Sequence, residues 1–170
     1  MKLMLESLIK QWFNSEILSY ISQEFRNAIY ECRIERLNTM MNKITMETFS
    51  FFDMSGKEPE KFYHGFTLGL IVDLKGRYQI ESNRESGYGR YDVMLFPLHS
   101  QDPGIVIEFK SLAADEGEKD LSDTLASALN QIADRNYVAA LEARGIPHDR
   151  IYAYGFAFRG KDVLIGGGRL

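Results

Sequence analysis

The chain has 170 residues, 45% of them hydrophobic, which is enough for one well-buried domain and too apolar for disorder. Its formal net charge of -4 excludes a strongly basic nucleic-acid binder, but not an enzyme that holds phosphates through a divalent metal and a few local basic groups. Cys32 is the single cysteine, so an internal disulfide and a multi-thiolate zinc site are excluded, and no apolar run approaches membrane-spanning length; a cytoplasmic protein without a membrane partner is expected.

Residues 1 to about 54 read as helical, with Ile17, Ile21, Phe25 and Ile29 recurring every four positions and Asn14 and Ser15 as candidate caps. Met40, Met41, Met46, Phe49, Phe51 and Phe52 load this segment with apolar surface that must pack on something, as core or interface helices. Ser55-Gly56-Lys57-Glu58-Pro59 is the clearest break and divides a helical extension or linker, 1–54, from a domain, 55–170. A helix over 60–75 follows, ended by Gly76, and Tyr78-Gln79-Ile80 begins a short strand. Residues 83–89 read as a turn into a strand at 91–96, and 99–104 as a turn into a strand at 105–110. One helical stripe runs from about 117 to 144, through Leu121, Leu125, Leu129, Ile132, Tyr137 and Leu141, until Gly145-Ile146-Pro147 stops it. Strands at 151–158 and 163–165 close the chain, and Gly166-Gly167-Gly168-Arg169-Leu170 reads as a flexible tail. The order is helices, then α-β-β-β-α-β-β, a mixed sheet flanked by helices.

Chemistry concentrates at Glu108-Phe109-Lys110. On a strand Glu108 and Lys110 share one face while Ile105, Ile107 and Phe109 take the other, which puts two charges where a core strand should have none. Asp92 leads the preceding strand, so pairing of the two would converge all three charged groups. Two carboxylates about 4 Å apart repel by roughly 4 kcal/mol at an effective dielectric near 20. A proton, a neighbouring cation or a bound metal must compensate, and hard oxygen ligands suit magnesium or manganese. Lys110 beside such a metal suits a base or a stabiliser of developing phosphate charge. On the upstream helix Glu60 and His64, four residues apart, share a face. Taken alone they read as a first-turn acid favoured by the helix dipole and a half-buried histidine.

Together, Glu60-Lys61-Phe62-Tyr63-His64-Gly65, the run from Ser82 through Gly87 to Asp92, and Ile107-Glu108-Phe109-Lys110 resemble the PD-(D/E)xK nuclease superfamily. More closely, they are similar to the C-terminal nuclease-like domain of bacterial AAA-type ATPase-like proteins, over about 49–165. The resemblance implies a restriction-endonuclease-like fold and a metal-dependent nuclease acting on nucleic acid, with DNA as substrate. Asp92 and Glu108 would be metal ligands with the Phe109 carbonyl a third, Glu60 the helix acid near the metal, Lys110 the catalytic lysine, and Mg2+ or Mn2+ the cofactor. Gln131 resembles a glutamine that some members place on the following helix. Related nucleases often add a tyrosine one turn later; Tyr137 is six residues on and off that face, so it reads as packing. Arg84 and Arg90 are candidates for phosphate contacts, equally readable as partners of Glu81 or Glu85, and His64 is a further candidate on the nucleic-acid side.

The resemblance makes the first 50 residues a helical linker to an ATPase portion, while the absence of a Gly-x-x-x-x-Gly-Lys-Ser/Thr loop means this chain is not the ATPase. The alternative is a catalytically silent module that binds nucleic acid or regulates an AAA-type ATPase partner. A third reading makes the Met- and Phe-rich N-terminal helices a docking surface for another protein.

Overall fold

The computed structural model describes residues 15–48, 59–86 and 89–170, with side chains except at 15–19, 47, 48, 59–62, 73, 75, 83–86 and 89–91. Five strands, β1 (Tyr78–Ser86), β2 (Gly89–Pro97), β3 (Gly104–Ser111), β4 (Ile151–Arg159) and β5 (Asp162–Arg169), form one sheet in chain order. Only β3 and β4 pair in parallel; the other neighbours are antiparallel. A parallel pair needs a crossover, and here α4 (Leu121–Asp134) and α5 (Tyr137–Glu142) supply it. Asp120 caps α4 by accepting from Ser122 N at 2.8 Å and Asp123 N at 3.2 Å.

Strand alternation splits the core into two layers. Val93, Leu95, Ile105, Ile107, Phe109, Phe156 and Phe158 face the helices α1 (Ser15–Tyr30), α2 (Ile34–Thr48) and α3 (Pro59–Ile71), packing with Phe25, Leu37, Met41, Tyr63 and Phe66. Met94, Phe96, Val106 and Ala153 face α4 and α5, packing with Ile132, Tyr137 and Leu141. Each large apolar side chain so buried contributes about 1.5–3 kcal/mol. The expected α-β-β-β-α-β-β core is therefore present, with helices on both faces of a mixed sheet.

The N-terminal helices are tied to the edge of that sheet by side-chain amides. Asn38 donates to Ile165 O at 2.7 Å and accepts from Ile165 N at 2.7 Å. One turn along α2, Asn42 donates to Val163 O at 2.7 Å and accepts from Val163 N at 2.9 Å. The two amides thus satisfy alternate residues of β5 as a sixth strand would, which blunts an edge otherwise open to pairing. Asn14, Phe49, Phe51, Phe52 and the break at 55–58 lie outside the described residues.

Three expectations change. The glycine-rich end is not a tail: Gly166, Gly167 and Gly168 pair with Gly155, Tyr154 and Ala153 inside β5. Glycine is required there because α4 lies almost on the sheet. A Cβ at Gly166 would stand 2.6 Å from a Leu125 methyl, and one at Gly167, where φ is +109°, 2.1 Å from the Ala153 carbonyl oxygen. The single stripe over 117–144 is instead two helices, because Asn136 takes the left-handed conformation (φ 50°) between α4 and α5. The strand begun at Tyr78 runs on to Ser86 and the next begins at Gly89, so 83–86 and Gly89 of the expected turn are strand.

Candidate active site

Asp92 and Glu108 meet where β2 leaves β3. The last rung between these strands is Val93↔Ile107, whereas the β1–β2 ladder continues to Ser86↔Gly89. Beyond that last rung the strand backbones need other partners, and Asp92 supplies one: its Oδ2 accepts from Phe109 N at 2.9 Å. A strand residue projects its N–H and C=O to the same side, so the Phe109 carbonyl also lies on the side toward β2, past the end of the ladder.

Glu108 is 3% exposed on the face covered by α4 and α5. Gln131, on α4, donates its side-chain amide to Glu108 Oε1. Glu108 Oε2 is buried and has no hydrogen-bond partner among the described residues. Burial, and then the nearby Asp92 carboxylate, push the Glu108 carboxyl up to about 8, against the lowering influence of Lys110, of the Asp92 backbone amide and of Gln131. A buried carboxyl oxygen beside a second carboxylate favours a compensating proton or cation. The donor set, two hard carboxylates and a backbone carbonyl, fits a magnesium-like ion. Among the described residues no cluster of three or more His, Cys, Asp or Glu side chains forms. The pair therefore needs the carbonyl, water or Glu60 to complete a coordination shell.

The other candidates sit on β3, on α3 and on the β1–β2 strands. Lys110 is half-buried two residues beyond Glu108 and close enough to bias its ionisation. Glu60 is the second residue of α3, and its side chain lies outside the described residues. Arg84 and Arg90 sit on the β1–β2 hairpin, opposite Tyr91 and Glu85 respectively, past the point where β2 leaves β3; their side chains also lie outside the described residues. Glu81 pairs with Arg144 at 2.9 Å, and Arg144 stacks over the Phe96 ring at 3.6 Å. His64 is not beside Glu108. It is 9% exposed within the layer of α1 to α3, with Nε2 3.2 Å from the Asp92 carbonyl oxygen.

Tyr137 packs as expected, 1% exposed in the layer of α4 and α5, and it also reaches Gln131. Its hydroxyl lies 3.5 Å from Gln131 Nε2, because the left-handed Asn136 resets the helical face and returns the ring toward Gln131. The signal for this is the run Asp134-Arg135-Asn136, in which asparagine is the residue best suited to that conformation after glycine.

No helix of the described residues is long and apolar enough to cross a membrane. No curated protein matches the chain. A family model described as the PD-(D/E)XK nuclease superfamily matches residues 58–167, which run through α3 and β1 to β4 and into β5 and include Asp92, Glu108 and Lys110. Members of that superfamily are in general metal-dependent nucleases, and α1 and α2, which precede the matched span, share the same core layer. With a restriction-endonuclease-like sheet and the paired acids at its diverging strands, this chain belongs to the PD-(D/E)XK nuclease superfamily.

Proposed function

We propose that this chain is a magnesium- or manganese-dependent phosphodiesterase that cleaves nucleic acid, with DNA as substrate. The observation that carries the reading is the buried Oε2 of Glu108, without a partner among the described residues, beside Asp92. Asp92, Glu108 and the Phe109 carbonyl would hold the ion, with Glu60 as the further acid from α3. Such an ion supplies positive charge against phosphate oxygens and makes water easier to ionise near neutral pH.

The chain's own groups do the rest. Gln131 holds Glu108 Oε1 and so leaves Oε2 for the ion. The Phe109 amide holds Asp92 Oδ2 and keeps the two carboxyls together. Lys110 offers a charge to phosphate oxygens or a site for the proton of attacking water. Arg84 and Arg90, on the hairpin that departs beside Asp92, would take neighbouring phosphates along the strand. A cytoplasmic setting goes with a reduced Cys32.

The test is divalent-dependent cleavage of single- and double-stranded DNA and of RNA. Asp92→Ala and Lys110→Ala should each lose cleavage by about a hundredfold or more while keeping the far-ultraviolet spectrum of the folded domain. Full activity in either purified variant would end the mechanism. The second reading, a non-cleaving module serving an AAA-type ATPase, draws on the net charge of -4, which weakens nucleic-acid binding; an intact fold that binds neither magnesium nor manganese would support it.

A further inference from the structure

β2 and β3 stop pairing at Val93↔Ile107, so Asp92 on β2 and Glu108 on β3 share no ladder bond with each other, although β2 still pairs with β1 and β3 with β4. A closed circuit through the opposite face joins the two strands there. Asp92 Oδ2 accepts from the Phe109 amide at 2.9 Å. The Asp92 carbonyl oxygen lies 3.2 Å from His64 Nε2. The His64 ring packs at 57° on the Phe109 ring, centroids 5.5 Å apart, and Phe109 in turn packs on Phe156 at 5.3 Å and Phe158 at 6.1 Å. A carbonyl can only accept, so the proton of this bond sits on Nε2.

We propose that His64 is a positioning residue for the metal centre: from beneath the sheet it fixes the β2 backbone at Asp92 and the β3 side chain at Phe109, where the strands no longer hold each other. The inference rests on the metal-dependent reading above and assigns His64 a role without contact to substrate or ion. It also accounts for a polar residue 9% exposed among Tyr63, Phe66 and Phe109, a place where apolar packing alone would favour Leu or Phe. Outer groups that orient metal ligands are worth about tenfold to a hundredfold in metal affinity.

Two substitutions in the full chain separate positioning from packing. His64→Phe keeps a flat ring and removes the donor; His64→Gln offers an amide donor near the position of Nε2. Hydrogen exchange of the Phe109 amide in the metal-free protein should speed up about tenfold in His64→Phe and stay near wild type in His64→Gln, with Phe156 amide protection unchanged in both. Manganese calorimetry should show affinity falling by about tenfold or more in His64→Phe and largely restored in His64→Gln. Wild-type exchange at Phe109 in His64→Phe would overturn the proposal, as would an equal loss of protection at Phe109 and Phe156 in both variants. Failure of the wild-type chain to bind manganese would overturn the metal reading instead, and Phe109 exchange would still decide whether His64 holds the two strands.

Discussion

Gln131 on α4 donates to one oxygen of Glu108 on β3 and leaves the other, Oε2, buried without a partner among the described residues. The amide favours the charged form of a carboxylate that burial disfavours, and in the proposed mechanism it fixes which oxygen is left for the ion. Replacing Gln131 by Leu should weaken manganese binding by about tenfold to a hundredfold with only a small change in melting temperature. Calorimetry with the purified variant checks this, and unchanged affinity would mean the amide orients nothing.

The same carboxyl makes stability depend on pH in the absence of metal. Glu108 is raised from 4.5 to about 8 in the fold, so the folded state binds more protons than the unfolded one between those values. Its contribution is fully present below about 4.5 and is lost as pH rises through about 8. Glu108→Gln, which cannot ionise, should be more stable than wild type at pH 9, by on the order of 2 kcal/mol after discounting for solvent screening. At pH 5 the two should nearly coincide. Parallel thermal melts at both pH values test the sign, and a constant offset would contradict it.

Asn38 and Asn42 should behave as structural residues that belong to the domain. Each makes a donor and an acceptor bond to β5, so Asn38→Ala or Asn42→Ala orphans two strand groups and should cost about 1–3 kcal/mol in urea unfolding. The double variant should also self-associate, because the β5 edge is uncovered. Two silent substitutions would make α1 and α2 the detachable extension that the sequence suggests.

The glycine end offers a contrast with a clear ordering. Gly167→Ala places a Cβ 2.1 Å from a backbone oxygen at a positive φ and should destabilise the domain by about 3 kcal/mol or more. Gly76→Ala meets nothing within 4 Å and should stay within about 0.5 kcal/mol of wild type. Comparable melting temperatures for the two variants would contradict the strand assignment of 166–168.

What the sequence makes legible is local or periodic. Alternation at 105–110 and 92–96 sets the facing of Glu108, Lys110 and Phe109, and the superfamily resemblance brings Asp92 to the same place. What it hides depends on partners far along the chain. Gly166 reads as part of a flexible tail until Leu125 of α4 is laid on it, and nothing local marks Asn38 until Ile165 arrives 127 positions later. Tyr137 is obscured for a different reason: an unbroken apolar period hides a one-residue left-handed break, and that break turns a packing residue toward Gln131. Helical spacing puts His64 on one face of α3 with Glu60 but says nothing of which layer the helix joins, so the approach of His64 to the Asp92 carbonyl is hidden too.

Asp92 and Glu108 form a metal site in the mechanism proposed above, and every other role assigned there depends on it. Anomalous difference density from crystals soaked in manganese tests this most directly. A peak is predicted within coordination distance of an Asp92 carboxylate oxygen, Glu108 Oε2 and the Phe109 carbonyl, absent from crystals of Glu108→Gln. No peak between the two carboxyls in well-occupied wild-type crystals, or a peak indifferent to Glu108→Gln, would contradict it.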